Sequence, residues 1–277
     1  MNRVLTMTGV TFREAARKRV LWMALAAGGA FLILFATAMH FQLQTANEIH
    51  AAKIVQRTGA EGMLMVGMYA IDMLIVVLAV LTSIDTLSGE ISSGTIQAVA
   101  TKPVRRWELL FGKWLGFVAM LTLFAAFMIG GINLVTYLMG GFTAHHLFQG
   151  FVLIWLESVL LLSLTFLFGT SFSTLTNGVL ALGLHGLAFI GGWIEQAGAL
   201  THTPKAVNVG VIASLIMPSE ALWRRAVFAM QPPLVSGLQM TPFSAASVPS
   251  PAMIGYAVLY TLLALCFAVW RLERRDL

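Results

Sequence analysis

Six long apolar runs, separated by short polar links, constrain this chain more than any other feature. They cover about 20–39, 62–84, 114–137, 151–172, 178–193 and 252–270. A hydrocarbon core about 30 Å thick takes roughly 20 apolar residues in helical form, and only helices or closed barrels satisfy their backbone groups there. The runs do not alternate with polar residues, so helices are predicted over strands. With 58% of its 277 residues hydrophobic and only 10% charged, the chain is too apolar for a soluble domain of this length. The predicted fold class is an all-α integral membrane domain over residues 1–277, with six transmembrane helices.

An even number of crossings puts both termini on one side, and the basic residues choose which. Twelve precede the first run, fill the link 85–113 or close the chain: Arg3, Arg13, Arg17, Lys18, Arg19, Lys102, Arg105, Arg106, Lys113, Arg271, Arg274 and Arg275. Five fall on the other side: Lys53, Arg57, Lys205, Arg224 and Arg225. Cytoplasmic termini in a cell inner membrane follow, and the net charge of +5 reads as orientation and contact with membrane lipid, not as affinity for nucleic acid. Ala24-Leu25-Ala26 imitates a signal-peptide cleavage site, but the apolar run continues past it, so retention as a span is expected. One cysteine, Cys266, excludes an internal disulfide and any CxxC site.

On the other side, 41–61 is polar and helical in character, and His145-His146 sits in a tight link. The segment 195–251 holds seven of the eight prolines, which rules out one continuous helix. Its apolar piece 206–217 is too short to cross and reads as re-entrant or interfacial. Pro218-Ser219-Glu220 reads as a helix start with Ser219 as the cap. The following residues place Leu222, Ala226 and Met230 on one side, as in a short helix lying at the outer interface, and inert packing of this extracytoplasmic cap is the equal alternative.

Inside the runs, Asp72 shares a helical face with Met65, Met68 and Tyr69. A carboxylate at the centre of a span costs about 2.5–3.5 kcal/mol on insertion scales, so it must face protein or water. It lines a translocation path, or it is a buried structural group. Glu157 and His185 pose the same alternative, and Gly183 and Gly186 permit close helix approach around an interhelical hydrogen bond from His185. Asn133 reads as packing glue. Fifteen methionines suit a soft metal ion, but as flexible filler of apolar spans they need none. His145 and His146 are adjacent, not spaced for one helix face, and no metal site is predicted.

The polar link reads DTLSGEISSGTIQAVATKPVRRWELLFGKWL. Ser92-Ser93-Gly94 breaks the preceding helix, and Thr95 can cap a new one running to Lys102, before Pro103. Ile96, Val99 and Ala100 fall on one face. A helix of two turns is unstable alone in water, so it leans on this chain or on a partner. Glu90 and Glu108 can pair with the surrounding Arg and Lys. The plainer reading is an ordinary charged loop.

GEISSGTIQAVATKPVRRWELLFGKWLG resembles the cytoplasmic loop of ABC-2 type transporter permeases, with its Glu, Gly-Thr-Ile, Pro-Val-x-Arg-x-Glu and Gly-Lys in this order before the third span. TFREAARKRVLW is similar to that family's amphipathic elbow helix, MPSEALWRRAV to its external segment before the last span, and RLERRDL to its basic terminus. The single-domain bacterial group that includes the permease of the nitrous-oxide-reductase maturation transporter is the nearest in flavour. The resemblance implies a permease that pairs with a second permease subunit, identical or not, and binds two ATP-binding cassette ATPase subunits. The helix 90–101 would be the coupling helix: Ile96 and Val99 insert into the ATPase, Glu90, Lys102 and Arg105 make polar contacts, and Gly94 permits the sharp turn. Thr95, Pro103, Glu108 and Lys113 complete the motif. In the elbow, 2–19, Glu14 and Lys18 are spaced for an ion pair, Phe12 with Ala15, Ala16 and Arg19 forms one face, and Arg17 adds to the basic side. Such a helix would lie along the inner surface against anionic lipid and the ATPase.

The chain carries no GxxxxGK[ST] stretch, since Gly112-Lys113 lacks the glycine-rich approach and is followed by Trp114. ATP and Mg are therefore expected on the partner ATPase, and this chain is expected to bind no cofactor and to be no enzyme. The predicted function is a permease subunit of an ATP-driven exporter. The alternatives are an ATPase-coupled assembly or mechanotransmission factor and, with less support, an intramembrane enzyme built on Asp72, Glu157 or His185.

Overall fold

The computed structural model describes residues 3–17, 19–50, 52–92, 105–231 and 247–274. Their regular elements are all helices: α1 (Arg3–Arg17), α2 (Arg19–Glu48), α3 (Lys53–Ser92), α4 (Arg106–Gly140), α5 (Leu147–Gly169), α6 (Thr174–Leu200), α7 (Pro204–Ile216), α8 (Ser219–Met230) and α9 (Ala252–Arg274). Six of these, α2 to α6 and α9, are long and apolar enough to cross a membrane. The chain is a multi-pass membrane protein.

The helices overrun the predicted spans. Outside the hydrocarbon a helix need not stop, and α3, with 40 residues, rises about 60 Å, twice the core thickness. The polar stretch 41–61 is accordingly the end of α2 and the start of α3, with a short break between them. The fifth crossing, expected over 178–193, extends from Ser173, whose hydroxyl caps the Thr176 amide, to Leu200.

Helix α5 is the axis of the bundle, and α3, α4, α6, α8 and α9 all pack on it. Its successive Leu160, Leu161 and Leu162 are all fully buried, as in a helix that is apolar all round. By contrast α2 buries only Gly28, Phe35 and Met39, a narrow stripe against α3 and α4. Its remaining apolar surface, such as Trp22, Met23 and Ile33, faces outward, where lipid is as apolar as leucine.

At the end that carries both termini, α1 lies on α4. The close approach depends on Gly112 and Gly116: a Cβ at Gly112 would stand 2.5 Å from Met7 Cβ, and one at Gly116 would stand 2.8 Å from Thr11 Cβ. The face α1 turns toward α4 includes Met7, Thr8 and Thr11; of the predicted face, Phe12 also packs against the core, and the side chains of Ala15 and Ala16 lie outside the described residues. Phe12 is half-buried, Glu14 and Arg17 are exposed, and Arg19 begins α2. Lys18, the proposed partner of Glu14, lies outside the described residues.

After α6 the chain doubles back. Helix α7 runs antiparallel along α6, with Ala206 against Gly198 and Gly210 against Glu195. Pro218 then pushes Met217 into an extended conformation (φ −142°, ψ 105°), which ends α7. The chain bends by 109° into α8, which climbs α5 until the Met230 carbonyl accepts the His145 amide at 3.1 Å. Carbonyls freed at the end of α7 are satisfied from α9, where Tyr256 donates to Leu215 O (2.5 Å) and Tyr260 to Ile216 O (3.1 Å).

Helix α8 does not lie at an interface, since Ser219 to Arg224, Ala226, Val227 and Met230 are all buried. Nor is Ser219 its cap: Pro218 holds that position and Ser219 lies one residue inside.

Candidate functional site

The turn between α7 and α8 brings Ser219 and Glu220 to the middle of the bundle, where three long helices each present a polar residue. Asp72 lies halfway along α3, Glu157 halfway along α5 and His185 near the centre of α6. Their exposures of 1%, 0% and 6%, with 2% for Glu220, leave none of them open to solvent. His185 Nδ1 is 3.0 Å from Ser219 Oγ and 3.8 Å from Glu157 Oε1. Asp72, Glu157 and Glu220 lie within electrostatic reach of one another. Neither Asp72 nor Glu157 accepts a well-formed hydrogen bond from any other described side chain.

The cluster sits at the N-terminus of α8. The first amides of a helix have no intrahelical acceptor, and the aligned peptide dipoles place positive potential there. A broken helix aiming such an end at the bundle centre can hold negative charge that the hydrocarbon would reject. The aromatic wall comes from Tyr69, whose ring lies 5.3 Å from Trp223 and 6.1 Å from Phe189, and whose hydroxyl accepts Trp193 Nε1 at 3.5 Å. Met68 packs behind it, fully buried in the apolar core. The five residues singled out as path or buried polar groups, Met68, Tyr69, Asp72, Glu157 and His185, thus share one neighbourhood. Among the described residues no group of three His, Cys, Asp or Glu side chains could hold a metal ion. Gly183 and Gly186 do not seat a neighbouring helix beside His185; a Cβ at either would meet open space.

Sequence reasoning missed a second buried polar group. Arg224 of α8, 1% exposed, clasps Glu195 of α6 through both guanidinium nitrogens at 2.8 Å. Ser214 of α7 accepts from it at 3.2 Å, and Ser247 donates to the same carboxylate at 2.6 Å. This ties three helices to the approach of α9. The available signal was an arginine set among Leu222, Trp223, Ala226 and Val227, since an arginine there is buried only with a partner.

The predicted docking loop is described only at its edges. Gly94, Thr95, Ile96, Val99, Lys102 and Pro103 lie outside the described residues, and of Glu90 only the backbone in α3 is described. At the start of α4, Glu108 turns back to accept the Arg105 amide at 3.0 Å, one half of a capping box. Arg106 donates to Leu272 O at 2.9 Å and so joins α4 to the end of α9. Lys113 is buried within the bundle and is not presented at the surface of this chain. A polar clasp lies just inside the loop: Thr174 donates to Asp85 (3.1 Å) and pairs with Ser88 (3.0 Å), and Asn177 donates to Ile84 O and Thr165 O. Asn133, expected as packing glue, is buried and holds the α4–α5 link by accepting the Ala144 amide at 2.9 Å.

The profile of the ABC-2 family transporter protein matches residues 9–277. The chain belongs to this ABC-2 family. The match runs from within α1 through the final helix, so the whole bundle and both polar groups belong to the family's membrane domain. An ABC-2 chain of this kind is a transporter permease component, and its family implies an ATPase on a separate subunit. No curated protein shows a significant match to the sequence.

Proposed function

We propose that this chain is the permease subunit of an ATP-driven exporter in the cytoplasmic membrane, with both termini cytoplasmic. The observation that carries the reading is the family match over residues 9–277. The ATPase docks at the end that bears α1, the link between α3 and α4 and the start of α4, and residues 90–101 supply the coupling helix. Movement there passes through the clasp of Asp85, Ser88, Thr174 and Asn177 into α3 and α6, the helices that carry Asp72 and His185. The α7–α8 pair acts as a re-entrant element, α1 as the elbow, and a second permease subunit completes the path. Placement in the nitrous-oxide-reductase maturation group belongs to the same proposal and rests on the loop motif alone.

Co-purification with the ATPase encoded beside this chain tests the reading. A stable complex with ATP turnover is expected, and Gly94→Trp or Glu90→Arg should uncouple it. Unaltered complex formation and turnover in both variants would sink the docking assignment. The closure of the Asp72 cluster favours a second reading, force transmission without a carried solute. Reconstituted vesicles that turn over ATP while none of a panel of solutes moves would select it.

A further inference from the structure

At the end of the bundle opposite the termini, α5, α8 and α9 enclose a cavity of 690 Å³ that the transport reading does not use. Its two walls differ in chemistry. The rim carries His145, His146, Gln149 and Arg225, all able to donate hydrogen bonds, and no described Asp or Glu lines it. The trough below is built from Val152, Leu156, Phe228 and Ile254. Phe148 at its edge is 77% exposed and Phe228 is 49% exposed, so the trough opens sideways, toward lipid and not into the bundle.

Arg225 is positioned, not adrift. Its Nη1 donates to Pro249 O at 2.7 Å, which holds the guanidinium beside the start of α9, and the residue lines the cavity with further donors of its five-donor fork to offer. A long cationic side chain with its stem along apolar surface and its head at the headgroup level is the usual arrangement at a membrane boundary. A donor-rich rim without a carboxylate suits an anion, and the trough suits an acyl chain. Together they suit one amphiphile that carries both.

We propose that this cavity is a binding site for one anionic phospholipid of the leaflet that meets this end of the bundle, its phosphate at Arg225 and the two histidines and an acyl chain along Val152 and Phe228. The lipid bridges α5, α8 and α9, beside the contact of the His145 amide with Met230 O. The site is independent of any docked ATPase.

The test is native mass spectrometry of the full chain released from nanodiscs of phosphatidylglycerol mixed with phosphatidylcholine. One phosphatidylglycerol should be retained in preference to phosphatidylcholine by about fivefold or more, the contribution of one cation near an anionic headgroup. Arg225→Gln should remove that preference, and Val152→Trp, which fills the trough, should remove the bound lipid. Equal retention of the two lipids by the wild type, or a preference unchanged in both variants, overturns the proposal. If Arg225→Gln does not fold, wild-type protein labelled with a diazirine-tailed phosphatidylglycerol still decides. Label on Phe148, Val152, Phe228 or Ile254 supports the site, whereas label spread over exposed faces such as that of α2 refutes it. Excess inorganic phosphate should not compete; displacement by it would make the ligand a free anion and would also refute the lipid.

Discussion

Arg224 and Glu195 illustrate how much one buried pair can decide. Removing one partner leaves the other charge enclosed, which costs about 3–5 kcal/mol, whereas replacing both with apolar residues of similar volume is often neutral or better. Arg224→Met alone should therefore lower the midpoint of thermal unfolding in detergent sharply, and Glu195→Met with Arg224→Met should recover most of it. A single variant as stable as the wild type would show that the pair is not what holds α6, α7 and α8 together. The Asp72 cluster makes a different prediction. Asp72→Asn keeps the shape and removes the capacity for charge, so the fold should persist. The acceleration of partner ATPase activity by permease conformational change should fall by about tenfold, the upper part of the range for residues on a coupling route. Normal coupled turnover would remove Asp72 from the route. The sequence marked Asp72, Glu157 and His185 because a polar side chain inside an apolar run announces itself. Glu220 and Arg224 were not marked as members, because their burial comes from a fold-back that no local pattern records.

Elements differ in what specifies them. The helix pair α7 and α8 is written plainly in the chain: Pro218 ends one helix and starts the next, and 13 apolar-leaning residues cannot cross a bilayer. What the local pattern left open was the depth of the turn, because an amphipathic reading of Leu222, Ala226 and Met230 fits an interfacial helix equally well. Packing against α5 buries the other faces too. Helix α1 carries the converse lesson. Its contact with α4 depends on Gly112 and Gly116, far along the chain, which the periodicity of α1 itself does not record. Gly112→Leu should overpack the contact, at a cost of about 1–3 kcal/mol, and free α1 without unfolding the bundle. Hydrogen exchange should then quicken in residues 4–12 and remain slow in α5. Unchanged exchange in α1 would mean that α4 does not hold it.

For the whole molecule, six crossings place residues 5 and 171 at one end and residues 47 and 146 at the other. In cells expressing chains with Cys266 replaced by Ala, single cysteines at Asn47 and His146 should react with an impermeant maleimide, and those at Leu5 and Ser171 should react only after permeabilisation. The reverse pattern would overturn the orientation proposed from the basic residues; a mixed pattern would overturn the six-span topology. Length and hydropathy alone determine that the chain crosses a membrane and how many times, because in hydrocarbon every backbone group must be satisfied within its own helix. The motif in the polar link between α3 and α4 is likewise legible in the sequence, and the family it resembles is the one whose profile matches residues 9–277. Which helix becomes the axis, how deep α8 reaches, and that Asp72, Glu157, His185 and Ser219 meet are decided only in three dimensions. The reason is physical: lipid accepts any apolar face, so hydropathy cannot rank the faces of a helix, and the choice falls to close packing between residues far apart in the chain.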